Sequence, residues 1–339
     1  MNLIKDILGA RRVARVRPPV QTVARVAVNM RPMFRAWGGG NQWLLQMVRY
    51  LNYTGYDVFY DLHREVDAII INHGGLTGKL SFGVEEIAAY KKRYPRVRVL
   101  HRINDNDIRK KTQEMDARLA RFDAVADFTV FISEWLRDHH AEKWFDRAKP
   151  HGVILNGADP SVFHPVGSSI WREGEPLRFV THHWSDNWMK GFTHYRELDE
   201  RIAAGEFPQT ELWVIGRWPA EIQWKSARTF RAAHGSALAD QLRQCHVYLT
   251  ASLHEPGGMH FIEGLQCGQP VVYHEDGGGI VELARPYGIG FREDLPAAIH
   301  AIRARYSEFR GKVLAAPPSG DRMTIAFREI LQRLLAERA

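Results

Sequence analysis

Ser252–Val272 reads S-L-H-E-P-G-G-M-H-F-I-E-G-L-Q-C-G-Q-P-V-V, and its order of patterns decides the fold. Val247 to Thr250, just before it, is a buried strand by composition. Pro256-Gly257-Gly258 is a turn, the run from about Phe261 to Cys267 a helix, and Pro270 to Tyr273 a second strand. Strand, glycine turn, helix and strand in this order predict a crossover unit of a parallel sheet. Glu255 lies just past the first strand and Glu263 eight residues later, early in the helix, so two carboxylates flank one helix N-terminus. The free N–H groups and positive dipole end of such a helix suit a phosphate or diphosphate, and Gly257 and Gly258 clear side chains from the approach. Each carboxylate can accept two hydrogen bonds from vicinal hydroxyls, which fits a ligand with sugar hydroxyls on both sides of a diphosphate. The plainer alternative is a pair of solvated acids beside a tight turn.

The alternation continues outward. Upstream lie a strand at Arg178 to Thr181, a helix from Phe192 to Ala204, a strand at Glu211 to Ile215 and a helix around Ala237 to Cys245; Gly277-Gly278-Gly279 follows downstream. His164 to Pro176 is punctuated by Gly, Ser and Pro as a linker is. Before it, a first series runs from a strand at Arg25 to Asn29 through the glycine loop Trp37 to Gly40 and a helix over Asn41 to Asn52. Strands at Asp57 to Asp61 and Asp67 to Asn72, a helix at Val84 to Tyr94 and a strand at Val97 to Leu100 come next. A strand ending at Phe131, a helix capped by Ser133 and a strand at Val153 to Leu155 complete that series. The sequence therefore predicts an α/β chain of two tandem units, residues 21–165 and 166–320. A ligand is expected in the cleft where the carboxyl ends of their sheets meet. A last helix within 321–339, with Ile325, Ile330, Leu331, Leu334 and Leu335 at mostly helical spacing, is expected to pack back on the body.

The 339 residues suffice for two domains, and 45% apolar and 25% charged residues exclude disorder and fibrous repeats. No run reaches the 18 or so apolar residues of a membrane span. A net charge of +7 favours anionic partners. Residues 1–20 form a basic arm, Lys5, Arg11, Arg12, Arg15 and Arg17 against Asp6 alone, without an apolar h-region. The arm is either solvated or a peripheral contact with anionic lipid. Cys245 and Cys267 have no ligand spacing and indicate a reducing compartment, so the expected location is cytoplasmic, with the inner membrane face as the peripheral option.

Four segments together resemble retaining glycosyltransferase family 4. Ser252–Val272 is similar to its Glu-x7-Glu signature, and G-G-G-I-V-E-L, Gly277 to Leu283, to its next motif. V-I-L-N-G-A-D-P-S-V-F-H-P, Val153 to Pro165, resembles its interdomain segment, and V-F-I-S-E-W-L-R, Val130 to Arg137, its strand, serine and helix. The resemblance runs from about Arg25 to Phe291. It implies a GT-B fold, two Rossmann-like domains facing across a cleft, with the donor, a nucleotide diphosphate sugar, held mainly by the second and a glycan or lipid-linked acceptor by the first.

Carried over by position, Glu263 holds the ribose, while Glu255 with the backbone of Gly257, Gly258 and Met259 holds the donor sugar. Lys190, in N-W-M-K-G-F, faces the diphosphate, where a fixed cation stabilises the leaving group more in the transition state than in the ground state. The resemblance puts His101, at the expected end of its strand, near the reacting sugar, Asn104 and Asp105 near the acceptor, and Gly39 and Gly40 near the donor phosphates. The chain departs from the family where it reads Thr181-His182-His183-Trp184 instead of Gly-Arg. That makes His182 the candidate replacement for a second diphosphate cation, partly charged and pH-dependent.

Gly257 stands where the family has Phe and opens the sugar pocket. The first glycine loop lacks G-x-G-x-x-G, which argues against NAD. The histidines at 182, 183, 246, 254, 260 and 274 show no metal-ligand spacing, so no metal or other cofactor is expected. The tryptophans at 184, 188, 213, 218 and 224 are expected mostly in the core, with one or two stacking on a base or sugar. Basic residues are dispersed without an aromatic groove motif, so no nucleic-acid partner is expected. The rival readings are a non-catalytic sugar-nucleotide or polyanion binding module, and a fold relative that cleaves a glycoside with phosphate or epimerises its sugar.

Overall fold

Short β-branched and aromatic runs separated by amphipathic helices give two six-stranded sheets, both wholly parallel. The computed structural model describes residues 22–34, 38–72 and 80–337, so the basic arm and Trp37 lie outside the described residues. In the first unit the elements are β1 (Arg25–Val28), α1 (Gly39–Tyr53), β2 (Asp57–Phe59), β3 (Ala68–Ile71), α2 (Val84–Arg93) and β4 (Arg98–Ile103). They continue with α3 (Asp107–Lys110), α4 (Met115–Asp123), β5 (Phe128–Phe131), α5 (Glu134–Ala141) and β6 (His151–Val153). The second unit has β7 (Leu177–His183), a 3₁₀ turn at Trp188–Lys190, α6 (Phe192–Ala203), β8 (Thr210–Gly216), β9 (Arg228–Phe230), α7 (Gly235–Arg243) and β10 (Val247–Thr250). It closes with α8 (Met259–Gln266), β11 (Val271–His274), α9 (Gly279–Ala284), β12 (Gly288–Phe291), α10 (Leu295–Ala304) and α11 (Tyr306–Ala315). The final helix is α12 (Gly320–Ala336).

Strand order is β2-β1-β3-β4-β5-β6 in the first sheet and β12-β11-β10-β7-β8-β9 in the second. Each order reverses once, between β1 and β3 and between β7 and β10. Loops leaving the carboxyl ends at such a point diverge to opposite faces and open a crevice. Those four loops carry Gly38 to Gly40, Asn72, His183 to Lys190 and Ser252 to Gly258.

Trp43, Leu44, Met47 and Leu51 of α1 and Met323, Phe327, Leu331 and Leu334 of α12 share one apolar cluster with β1 and β3. The last helix thus leaves the second unit and packs on the first, tied there by Arg98, which donates to the Leu334 and Glu337 carbonyls at 3.3 and 2.7 Å. Ile325 stays exposed on its outer side.

Several strand ends differ from the sequence reading by one to three residues, and one of them matters. β4 runs three residues past Leu100 to Ile103, so His101 stands inside the sheet instead of at its edge. The last strand of the first unit is His151–Val153, earlier than Val153 to Leu155.

Candidate functional site

Between the two sheets' carboxyl edges lies a cleft of about 300 Å³, within the size range of small-molecule sites. On its second-unit wall β10 delivers Ser252 and the turn to Glu255. The α8 N-terminus has Gly258 at its cap with no side chain bonding the free N–H groups. The first-unit wall offers the α1 N-terminus, where Gly38 likewise supplies no side-chain cap. Two helix N-termini without side-chain caps therefore line one cleft, an arrangement that attracts anions. They also touch: a Cβ on Gly39 would stand 2.8 Å from Met259 Cγ, so only glycine admits this approach.

Lys190 ends the 3₁₀ turn after β7, and Gly191 follows at φ +86° with no room for a Cβ, which would lie 2.2 Å from the Ala251 carbonyl oxygen. This contact seats Lys190 against the β10 end, where its Nζ donates to Glu255 Oε2 at 2.6 Å. Arg109 of α3 reaches across from the first unit, and its Nε donates to the same oxygen at 2.9 Å. Burial alone would raise the Glu255 carboxyl, but the charges of Arg109 and Lys190 hold it well below the usual carboxylate range. Burial, together with the Arg109 charge, brings the Lys190 ammonium down to about 8. Glu263 on α8 accepts from His182 Nε2 at 2.8 Å, and His182 Nδ1 meets Tyr248 Oη at 3.0 Å. His182 is thus bonded to Glu263, and the second cation on the Glu255 carboxylate beside Lys190 is Arg109, which the sequence reading passed over.

The other expected residues divide between cleft and core. Gly39, Gly40, Asn104, Asp105, Gly257, Gly258 and Met259 all line the cleft. Asn104 Nδ2 donates to the Asn72 carbonyl at 3.3 Å, and Asp105 pairs with Lys110 at 2.9 Å. Burial raises the Asp105 carboxyl against the pull of Lys110. His101 does not reach the cleft. It is fully buried with its ring 3.6 Å from the Asp123 carboxylate on the opposite face of the first sheet. The cause is the period of a strand: with β4 extending to Ile103, neighbours alternate between faces, and Arg102 takes the cleft side.

Arg102 is 1% exposed and bonds two neutral partners, Asn72 Oδ1 at 3.0 Å and Asn156 Oδ1 at 2.9 Å, while its guanidinium stacks on Trp43. Burial lowers it to about 9, which leaves it cationic at neutral pH. Asn156 in turn donates to the Gly257 carbonyl at 2.5 Å, and Ser133, besides capping α5, donates to the Pro256 carbonyl at 2.6 Å. With the Arg109–Glu255 bond, the first unit therefore grips the Glu-Pro-Gly-Gly turn of the second by three side-chain bonds. Glu282 returns the contact by accepting the Glu134 and Trp135 N–H groups at the α5 start.

Burial pushes the His183 and His260 rings well below neutral pH, so both are uncharged there. They bond Thr181 Oγ1 at 2.8 Å and Thr250 Oγ1 at 2.9 Å. Among the tryptophans, Trp184 lines the cleft with Arg217 over its ring at 5.2 Å, whereas Trp213 is buried in one apolar cluster of the second unit and Trp218 and Trp224 pack against the other. Among the described residues one trio, Asp116, His139 and His140, has ligand atoms close enough to share a metal ion. It fits one poorly: Lys143 Nζ already sits on Asp116 at 2.6 Å. His140 donates from Nε2 to the Asp105 carbonyl and accepts Trp144 Nε1–H at Nδ1.

Comparison with known proteins bears on the same elements. Residues 187–305, which include Lys190, Glu255 and Glu263, match the family described as glycosyl transferases group 1. No curated protein matches the chain in sequence at a significant level. The sucrose-phosphate synthase structure from Thermosynechococcus elongatus is 16% identical with a TM-score of 0.65, over 94% of this chain and 100% of that one. Anabaena HepE in complex with UDP-glucose is 14% identical with a TM-score of 0.67, over 91% of this chain and 100% of that one. A glycosyltransferase from Rickettsia africae ESF-5 is 16% identical with a TM-score of 0.61, over 94% and 99%. These likenesses extend across both units, and the chain has the GT-B fold of glycosyltransferases.

Proposed function

We propose that the protein is a retaining glycosyltransferase that moves a sugar from a nucleotide diphosphate sugar to an acceptor hydroxyl. The observation that carries the reading is the placement of Lys190, Glu255 and Glu263, all within the segment similar to glycosyl transferases group 1, around one uncapped helix N-terminus at the switch point of the second sheet. In this reading Glu263 receives the ribose hydroxyls and Glu255 the sugar hydroxyls. The diphosphate lies between them, against the α8 amides and Lys190. Gly216, His234, Gly235 and Trp184 also line the cleft, and this reading puts the nucleobase among them. UDP is the first nucleotide to test, because the Anabaena neighbour holds UDP-glucose. Asn104 and Asp105 face the acceptor.

In the reaction the bond from the anomeric carbon to the diphosphate oxygen breaks and its electron pair leaves with the phosphate. The acceptor oxygen bonds to the same face of the sugar, and its proton passes to a departing phosphate oxygen. The protein's part is positioning and charge stabilisation, which needs no metal or other cofactor in this proposal. The acceptor is placed in polysaccharide or glycolipid synthesis at the cytoplasmic membrane face, and the basic residues of the first 20 positions support that placement. No described helix is long and apolar enough to cross a membrane.

The test is turnover. UDP-, GDP- and ADP-sugars are incubated with protein and simple hydroxyl acceptors, released nucleotide is quantified and the product anomer is assigned by proton NMR. Nucleotide release with the donor's anomeric configuration supports the proposal. An inverted product contradicts retention, and tight binding without any release shifts the reading to a non-catalytic sugar-nucleotide module.

A further inference from the structure

Two cations from different units converge on one carboxylate oxygen. Lys190 of the second unit and Arg109 of the first both donate to Glu255 Oε2, and none of the three side chains exceeds 14% exposure. One carboxylate oxygen thus takes two cations in a partly dry cleft, and although Asp105 also acts on Arg109, the lining sets Arg102, Arg109, Lys110 and Lys190 against the carboxyls of Asp105, Glu255 and Glu263. Lys110, the neighbour of Arg109, is already engaged by Asp105, and Arg102 below it has only neutral partners. An excess of fixed positive charge between two uncapped helix N-termini is completed by an anion.

Arg109 is also held in place. Its backbone N–H is bonded by the Asn106 side chain at 2.7 Å, and the Asp107 carboxylate ties α3 to α4 through Thr112 at 2.7 Å and the Met115 N–H at 2.8 Å.

We propose that Arg109 is a donor ligand supplied by the first unit: its guanidinium and the Lys190 ammonium hold the sugar-proximal phosphate from opposite walls of the cleft, and Glu255, released from both, receives the sugar hydroxyls. This rests on the donor reading above, in which Glu263 marks the ribose end and Glu255 the sugar end. A guanidinium presents two parallel N–H groups to two phosphate oxygens, which an ammonium cannot do. The distal phosphate thereby links the two units, and a nucleoside monophosphate, lacking it, reaches neither cation of the pair.

Equilibrium dialysis of UDP, GDP and ADP and of UMP, GMP and AMP against wild type, Arg109→Ala, Arg109→Lys and Lys190→Ala tests this. For the base that binds, wild type prefers the diphosphate. Arg109→Ala lowers diphosphate affinity about ten- to hundredfold, the worth of a charge-assisted hydrogen bond, while monophosphate affinity holds, and Arg109→Lys falls between. Undiminished diphosphate affinity in Arg109→Ala, with Lys190→Ala still losing it, overturns the assignment and leaves the donor reading standing. Equal loss of mono- and diphosphate assigns Arg109 a purely structural part and overturns it too. No nucleotide binding to wild type removes the donor reading itself.

Discussion

The two walls of the cleft are written in the sequence in different ways. On the second-unit wall the carboxylates, glycines and helix start arrive together in one run, Glu255–Glu263, with Lys190 and single residues such as His182, Gly216 and His234 beside it. The first-unit wall is assembled from Gly39, Asn72, Arg102, Asn104, Arg109 and Asn156, single residues on six elements or loops. A contiguous wall is legible as a motif; a dispersed one depends on which way each side chain turns, which the strand ends decide. The difference predicts that the second wall governs donor binding, while the first wall divides into residues that touch ligand and residues that only carry the sheet.

The sharpest break of that comparison is at Glu255, where the walls meet. Removing its carboxylate in Glu255→Ala leaves Lys190 and Arg109 facing each other without a counter-charge, a loss of about 3–5 kcal/mol. Thermal unfolding reads it as a large drop in Tm, and added pyrophosphate restores part of the loss by taking the carboxylate's place. An unchanged Tm would mean that the two cations are solvated and not opposed.

Next in size, Lys190→Ala is expected to cut donor turnover by about 10²–10³, the usual cost of one transition-state charge donor, as measured by released nucleotide under saturating donor. A comparable rate in the variant would place the leaving group elsewhere.

The pH profile separates the walls more finely. Transfer needs Lys190 charged, and its folded-state value lies at about 8, below the ordinary lysine range, through burial and the nearby Arg109 charge. The cationic fraction shrinks as pH rises through that value, so kcat/KM, which reports the free enzyme, falls on the alkaline side of about 8. Glu255→Gln removes the charge that supports protonation and moves the descending limb to lower pH, while Lys190→Arg removes the limb from this range. A flat profile from pH 7 to 10 in wild type would contradict the assignment.

The smallest effect on chemistry is expected at His101. It packs beside Asp123 on the far face of the first sheet, so His101→Ala lowers stability by about 1–3 kcal/mol in denaturant unfolding and leaves kcat within about twofold. A large loss of kcat with stability intact would return His101 to the cleft.

Much of the architecture was legible because parallel strands buried on both faces leave unbroken apolar runs. Val247–Thr250 coincides with its expected strand, and Phe192–Ala203 ends one residue before the expected helix end. β12, Gly288–Phe291, was missed because its Gly-Ile-Gly-Phe run lacks the alternation and β-branched density of a strand. β9, Arg228–Phe230, is a three-residue edge with too little sequence to form a pattern. At the site, Glu255 and Glu263 stood out by their eight-residue spacing and Lys190 by its resemblance to the family's Lys-Gly, and all three line the cleft. His101 was misplaced by a strand end set three residues short, and His182 was assigned to the phosphate because a sequence does not show that its ring turns to Glu263. Arg109 had a weak signal: a basic residue in the short helix α3 that follows β4, opened by the helix-capping Asn106.

The most direct measurement is a calorimetric titration of UDP, GDP and ADP into wild type, Glu263→Ala and His101→Ala. One nucleoside diphosphate binding wild type, weakened about tenfold or more in Glu263→Ala and unchanged in His101→Ala, is the predicted result. Equal affinity in Glu263→Ala and wild type, or a greater loss in His101→Ala, would contradict a donor site on the second wall of the cleft.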